Sequence, residues 1–280
     1  MIGRETIAAT VRVLDEDRDL AALVAADRRL LAERACVASA LVLQRGRWSA
    51  GPSVEDASRG FGLLLLRGLL SGRVGLRGGY GAEVLGPGDL LRPLPRPYAR
   101  AGSPFDSNWT VIRPTRLALL GPRFVSRAAP FPELSAELVG RALERTRRLA
   151  VNMAIVHNPR VDERVHVLLW HLALRWGQVT REGTALSLPL THALLAEMIA
   201  SRRPTVTKAL SQLAQQGRVQ PTNDGWLLTG SVPAELEALT APGGAPGTGE
   251  LLGKRGDKIA IDRPARHLPW AHAHQLTPSN

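Results

Sequence analysis

Arg203, Thr205, Thr207 and Lys208 stand close together in the run SRRPTVTKALSQLAQQGRV. The set offers two cations and two hydroxyls with little apolar surface between them. Such a set suits a polyanion with readable edges. An Arg guanidinium can bond guanine O6 and N7 together in a major groove, a Thr hydroxyl can bond a phosphate, and free N–H groups at a helix start attract phosphate oxygens. Thr191, Ser201, Arg202 and Arg218 flank these residues and complete a candidate DNA-facing set. The competing reading is a solvated helix end carrying ordinary surface charge.

The elements that must position this set can be read from Thr191 to Gly230. Thr191 is a hydroxyl cap, and Leu194, Leu195, Met198 and Ile199 follow at the spacing of a short helix with one buried stripe. A sharp turn is expected at Ala200 to Arg202. Pro204 suits the first turn of a second helix, where its missing N–H has no intrahelical partner to lose, and Val206, Leu210 and Leu213 form that helix's inner face. Gly217 ends it. Arg218 to Gln220 and Trp226 to Thr229 are short extended runs joined through an Asp224-Gly225 pair, a strong hairpin signal. Helix, tight turn, helix and hairpin make a winged helix-turn-helix, and the agreement of turn, proline and hairpin favours DNA reading over plain surface charge.

The same run resembles the DNA-reading helix of the Crp/Fnr superfamily of bacterial transcription regulators. That likeness implies Arg203 and Lys208 as base readers, with Thr205 and Thr207 towards the DNA backbone. Two departures stand out: Arg202 occupies the usual serine cap position, and His192-Ala193 replaces a usual polar and acidic pair.

Upstream, the hydrophobic period changes to that of short strands. Val42 to Arg47, Phe61 to Leu66, Gly72 to Leu76, Ala82 to Leu85 and Arg116 to Leu120 are divided by Gly, Pro, Ser and Asp, which reads as a compact antiparallel roll. SGRVGLRGGYGAEVLGPGDLL resembles the central hairpin of the cyclic-nucleotide-binding-like jelly roll of Crp/Fnr proteins, and Leu85 to Asp89 matches that fold's recurring turn. In cyclic-nucleotide binders of this kind a glycine- and glutamate-containing short helix follows, and a guanidinium and a helix start hold the phosphate. Here Pro93, Pro95 and Pro97 bar a regular helix, and no Glu occurs between Glu83 and Glu133. The usual cyclic-nucleotide response is therefore not expected. Arg92, Arg96 and Arg100 remain as a candidate pocket for another anionic small-molecule effector, against the reading of an irregular surface loop.

Between roll and helix-turn-helix, Ser135, Val139, Ala142, Thr146, Leu149, Met153 and Val156 recur at alternating steps of four and three, the seam of a two-stranded coiled coil. Packing of Leu138, Leu143 and Ala150 on the roll is the alternative use of this helix. A parallel pair would set two reading heads roughly 34 Å apart, which demands an inverted-repeat site and a homodimer. Val161 to Trp176 reads as a scaffold helix, and Glu182 to Pro189 as a small strand leading into Thr191.

The expected class is thus α+β: an N-terminal antiparallel β jelly roll, a long dimerisation helix and a C-terminal winged helix-turn-helix. The expected boundaries are a tail at 1–19, a sensor roll at 20–131, the dimer helix at 132–158, the DNA-binding unit at 159–230 and a flexible basic tail at 231–280. That last tail could touch DNA phosphates or RNA polymerase.

Composition sets the outer limits. The 280 residues carry a net charge of +11, and the apolar fraction of 44% allows packed cores. Basicity is not concentrated at the candidate interface. Residues 20–130 hold sixteen Arg against seven acids, whereas 191–229 hold four cations against two acids. Global charge thus supports attraction to polyanions in general, and sequence reading must come from local geometry. No apolar run is long enough to span a bilayer and no signal region is evident, so a cytoplasmic protein is expected.

The lone Cys36 excludes an internal disulfide, a thiolate zinc cage and an iron-sulfur site. No metal or cofactor is expected, because His157, His166 and His171 lack a completing carboxylate and the roll has no histidine for haem. Phosphate-loop, HExxH and GxSxG motifs are missing, so an enzyme is not expected. The remaining competitor is a ligand-sensing or protein-interaction module whose helix-turn-helix is structural.

Overall fold

The structure, a computed structural model, describes residues 5–49, 51–76, 79–92 and 105–240. Strand β1 (Glu5–Arg12) leads into helices α1 (Val13–Glu16), α2 (Arg18–Ala22) and α3 (Ala26–Ala35). The strands β2 (Val37–Leu43) and β3 (Gly46–Trp48), helix α4 (Pro52–Ala57), then β4 (Gly62–Leu76), β5 (Gly79–Leu85), β6 (Leu90–Leu91) and β7 (Phe105–Leu120) follow. They form one antiparallel seven-stranded sheet with the path β1-β2-β7-β4-β5, on which β3 pairs with β7 and β6 with β4.

Leu63 to Leu66 explains why no polar alternation marks this sheet. Leu63 and Leu65 enter the roll interior with Leu41, Leu43, Trp48, Leu91 and Leu117, while Leu64 and Leu66 pack on the opposite face with Val13, Leu20, Phe124 and Phe131. Successive side chains of a strand point to opposite faces, so a strand buried on both sides must be apolar throughout. β4 bends where its register with β7 shifts between Leu65 and Leu70. Gly68 lies at that bend with φ +98°, and a Cβ there would meet the Pro114 carbonyl at 2.3 Å. A single bulged strand thus replaces the two expected at 61–66 and 72–76.

Two expected tails are corrected. Residues 5–12 pair with 37–43 in β1, and Val11, Val13 and Leu14 are buried, so the stretch given to a tail at 1–19 adds the sheet's edge strand and covers the outer core. At the other end, 234–240 form helix α10 (Ala234–Thr240) with Leu236 fully buried against the C-terminal core. Residues 241–280, the remainder of the expected basic tail, lie outside the described residues.

Helix α5 (Pro122–Ala128) leads to the long α6 (Pro132–His157), whose Leu134, Leu138, Val151 and Ile155 are buried. Of the alternative roll contacts, Leu138 packs as expected, whereas Leu143 and Ala150 are exposed. Three arginines four and three residues apart tie α6 to the roll side. Arg141 pairs with Asp17, Arg145 with Glu83 at 2.5 Å and Arg148 with Asp89 at 2.5 Å. Asp89 is only 2% exposed, and its other oxygen accepts from Arg175 at 2.7 Å and from Gly86 N–H at 2.8 Å. A buried carboxylate with two guanidiniums and a backbone donor is satisfied, which is the condition for a charge to survive burial.

Helix α7 (Val161–Trp176) carries Arg175 and opens the C-terminal core. Strands β8 (Gly177–Val179) and β9 (Thr184–Leu186), helices α8 (His192–Met198) and α9 (Arg203–Gln215), and strands β10 (Val219–Thr222) and β11 (Gly225–Leu228) complete the fold. The second sheet has the order β10-β11-β9-β8. No helix among the described residues is long and apolar enough to cross a membrane.

Candidate nucleic-acid interface

Thr191 caps α8, accepting the Leu194 N–H at 3.2 Å. Leu195, Ala196, Met198 and Ile199 are buried beneath it. The chain then reverses through Ala200, whose φ of +50° lies in the left-handed region rarely adopted outside glycine. Ser201 N–H reaches back to the Ala196 carbonyl at 2.8 Å, and α9 begins at Arg203 with Pro204 in its first turn.

Val206, Ala209, Leu210 and Leu213 of α9 are buried against α7 and α8. This stripe fixes the helix's rotation, and Arg202, Arg203, Thr205, Thr207 and Lys208 all remain exposed outside it. Ser201 is half-buried in the turn. The exposed end is cationic, carries no acidic residue in its first turn, and presents the helix's free N–H groups.

Two members of the expected set have other work. Thr207 Oγ1 donates to the Arg203 carbonyl at 3.1 Å and lies 2.9 Å from His192 Nδ1. Arg218 does not face outward with the others. Its guanidinium donates to both Glu163 oxygens, at 3.0 and 3.3 Å, and approaches His166 Nδ1 at 2.8 Å, so it joins the hairpin to α7. The hydrogen bond from Arg218 holds the Glu163 carboxyl below its ordinary range. Sequence spacing could not show this, because the partner lies 55 residues away.

His166 is buried between Arg218 and Trp170, whose Nε1–H points at His166 Nε2 over 3.1 Å. Both neighbours are donors. A neutral imidazole can accept from one of them and a protonated ring from neither. Burial, then the nearby Arg218 cation, push its pKa down to about 4. His171 is likewise pushed down to about 4 by burial and Arg148. Among the described residues no group of three His, Cys, Asp or Glu is gathered to hold a metal.

The expected effector arginines are only partly visible. Arg92 donates to the Gly60 and Phe61 carbonyls, so it closes the roll's own backbone; Arg96 and Arg100 lie outside the described residues. A groove of about 1260 Å³, with Arg92 among its lining residues, runs between the β4–β5 hairpin, α6 and α8. Tyr80 and Trp109 line one side. The α6 wall carries the seam residues Val139, Ala142, Thr146, Leu149, Met153 and Val156. Val139 and Met153 are 50% and 65% exposed, an unusual state for apolar side chains in one stripe.

Comparison with known proteins supplies independent information. The profile of a Crp-like helix-turn-helix domain matches residues 163–239. The chain is 30% identical over 171 residues to a CRP-like cAMP-activated global transcriptional regulator of Mycobacterium tuberculosis, covering 58% of this chain and 75% of that protein. It is 32% identical over 139 residues to the regulatory protein CysR of Synechococcus elongatus, covering 48% of this chain and 58% of that protein. Among solved structures, OCPA-complexed CprK matches with a TM-score of 0.51 at 15% identity, over 82% of this chain and 94% of that one. A CooA mutant from Carboxydothermus hydrogenoformans matches with a TM-score of 0.50 at 18% identity, over 64% and 78%. At those identities the structural likeness is one of fold.

Proposed function

Since the chain belongs to the Crp/Fnr superfamily of transcription regulators, we propose that it reads an inverted-repeat operator as a homodimer, with α9 in the major groove. The observation that carries this reading is the division of α9: one stripe is sealed in the core while Arg203, Thr205 and Lys208 stand exposed beside it. Arg203 and Lys208 are the base readers in this account, and Thr205, Arg202, Thr191 and Ser201 serve the DNA backbone. RNA polymerase is the partner through which such a regulator would act.

Dimerisation is assigned to α6. Its seam leaves large apolar side chains exposed on one face, and a second copy's α6 is the surface that matches their spacing. Light scattering at micromolar concentration should give twice the chain mass, and a monomer would count against the pairing.

The sensor is proposed to work without the usual cyclic-nucleotide response, unlike the Mycobacterium relative, whose name records activation by cAMP. Leu41, Leu63, Leu65, Leu70 and Leu91 pack the roll interior, and Arg92 is bound to backbone carbonyls. The groove beside α6 is the alternative effector site, since its walls reach both the seam and α8. Calorimetry should detect no tight one-to-one complex with cyclic AMP or cyclic GMP; such a complex would overturn this part. Footprinting with the purified protein tests the whole reading, with protection of an inverted repeat as the expected result.

A further inference from the structure

We propose that His192 is a phosphate-contacting residue that couples operator binding to proton uptake, and that Thr207 positions it instead of touching the DNA itself. This rests on the DNA-reading assignment above and specifies one contact within it.

A threonine hydroxyl has a single hydrogen, and that of Thr207 is given to the Arg203 carbonyl at 3.1 Å. The 2.9 Å contact between Thr207 Oγ1 and His192 Nδ1 must then be donated by the ring, which fixes the Nδ1–H tautomer. On another side the ring lies against Trp226 of β11, with centroids 6.1 Å apart and planes tilted by 32°. Trp226 is itself nearly buried, so two elements hold the imidazole in one orientation. Nε2 has no hydrogen-bond partner among the described residues.

In a helix-turn-helix the helix before the reading helix crosses the DNA backbone, so the first residue of α8 is placed where phosphates pass. Thr207 has no hydrogen left to offer a phosphate. A neutral His192 would present the Nε2 lone pair to an anion, which repels it; a protonated ring presents an N–H and a positive charge. Phosphate binding therefore favours the ring with a proton on Nε2, and draws that proton from solvent wherever the ring is neutral. The charged residues of α9, which packs on α8, are Arg203 and Lys208; α8 itself carries Glu197, which is paired with Arg73, and the hairpin turn beside Trp226 carries Asp224. The β5 strand packed on α8 contributes Glu83, held by Arg145, and β11 carries no charged residue.

The test uses the full-length protein and an operator recovered by selection, with affinity measured by fluorescence anisotropy at about pH 6 and about pH 8, where imidazole changes charge. Affinity should be roughly three- to tenfold higher at the lower pH, and the slope of log K against log salt steeper by about one per protomer. His192→Gln keeps a side-chain donor for Thr207 but takes up no proton, so this variant should lose both differences. Thr207→Val frees the ring and should weaken binding at the lower pH by about threefold, on the scale of a single hydrogen bond. Circular dichroism of each variant checks that it folds, and should His192→Gln not fold, the wild-type pH dependence still decides. Equal wild-type affinity and salt slope at both values, or an unchanged pH response in His192→Gln, overturns the proposal while DNA reading stands. A wild type that selects no DNA at either pH overturns both.

Discussion

Arg73 Nη2 lies 2.6 Å from Glu197 Oε1, which joins the β4–β5 hairpin of the roll to the helix preceding the reading helix. Arg73 also stacks over the Tyr80 ring at 4.6 Å. Both partners of the ion pair are about a quarter exposed, so solvent screens it. Glu197→Gln should cost less than about 1 kcal/mol in urea unfolding. A loss above about 3 kcal/mol would show that the bridge is worth what a fully buried pair is worth, contrary to this account.

Asp89 is the opposite case. It is almost inaccessible and is shared by Arg148 of α6 and Arg175 of α7. Removing it leaves two partly buried guanidiniums facing each other. Asp89→Ala should therefore destabilise the protein by about 3 kcal/mol, read as a shift of the urea midpoint, and a change within about 0.5 kcal/mol would contradict the clamp.

Buried His166 and half-buried His171 set a pH dependence. His166 and His171 have an ordinary value of 6.5 and folded values of about 4, so the unfolded chain binds their protons first as pH falls. Their stabilising effect is complete above about pH 6.5 and is lost progressively towards about pH 4, by at most about 3 kcal/mol each. Urea midpoints measured from about pH 7 to about pH 4.5 should fall, and the fall should be shallower in His166→Gln. An identical slope in wild type and variant would remove His166 from this role.

Arg203 and Arg218 separate reading from scaffolding. Arg203→Ala should leave the unfolding midpoint nearly unchanged while costing roughly 1 to 3 kcal/mol of operator affinity and relaxing preference at one base position. Arg218→Ala should do the reverse, because its charge is spent on Glu163 and His166. Equal loss of DNA affinity in both variants would return Arg218 to the interface.

The C-terminal unit was legible because its signals are local. Pro204 marks a helix start, Val206, Leu210 and Leu213 mark a face, and Asp224-Gly225 marks a turn, all within one short stretch. What escaped depends on distant partners. β1 carries ordinary strand residues, yet only pairing with β2 and burial of Val11 distinguish it from a tail. Leu63 to Leu66 gave no alternation because both faces are covered, and the bulge at Gly68 hid the continuity of β4. Nothing in the spacing of the α6 arginines marks their partners Asp17, Glu83 and Asp89, which lie 59 to 124 residues away in the chain. His192 was visible only as a departure from a family pattern; its contact with Thr207 spans 15 residues and required the helices to be docked.

Selection from randomised double-stranded oligonucleotides, followed by sequencing of the bound fraction, tests sequence-specific reading by α9 most directly. The wild type should enrich an inverted repeat with half-sites roughly one helical turn apart, and Arg203→Ala should lose one base preference in each half. Recovery of no consensus, or of the same consensus at equal strength with Arg203→Ala, would contradict it.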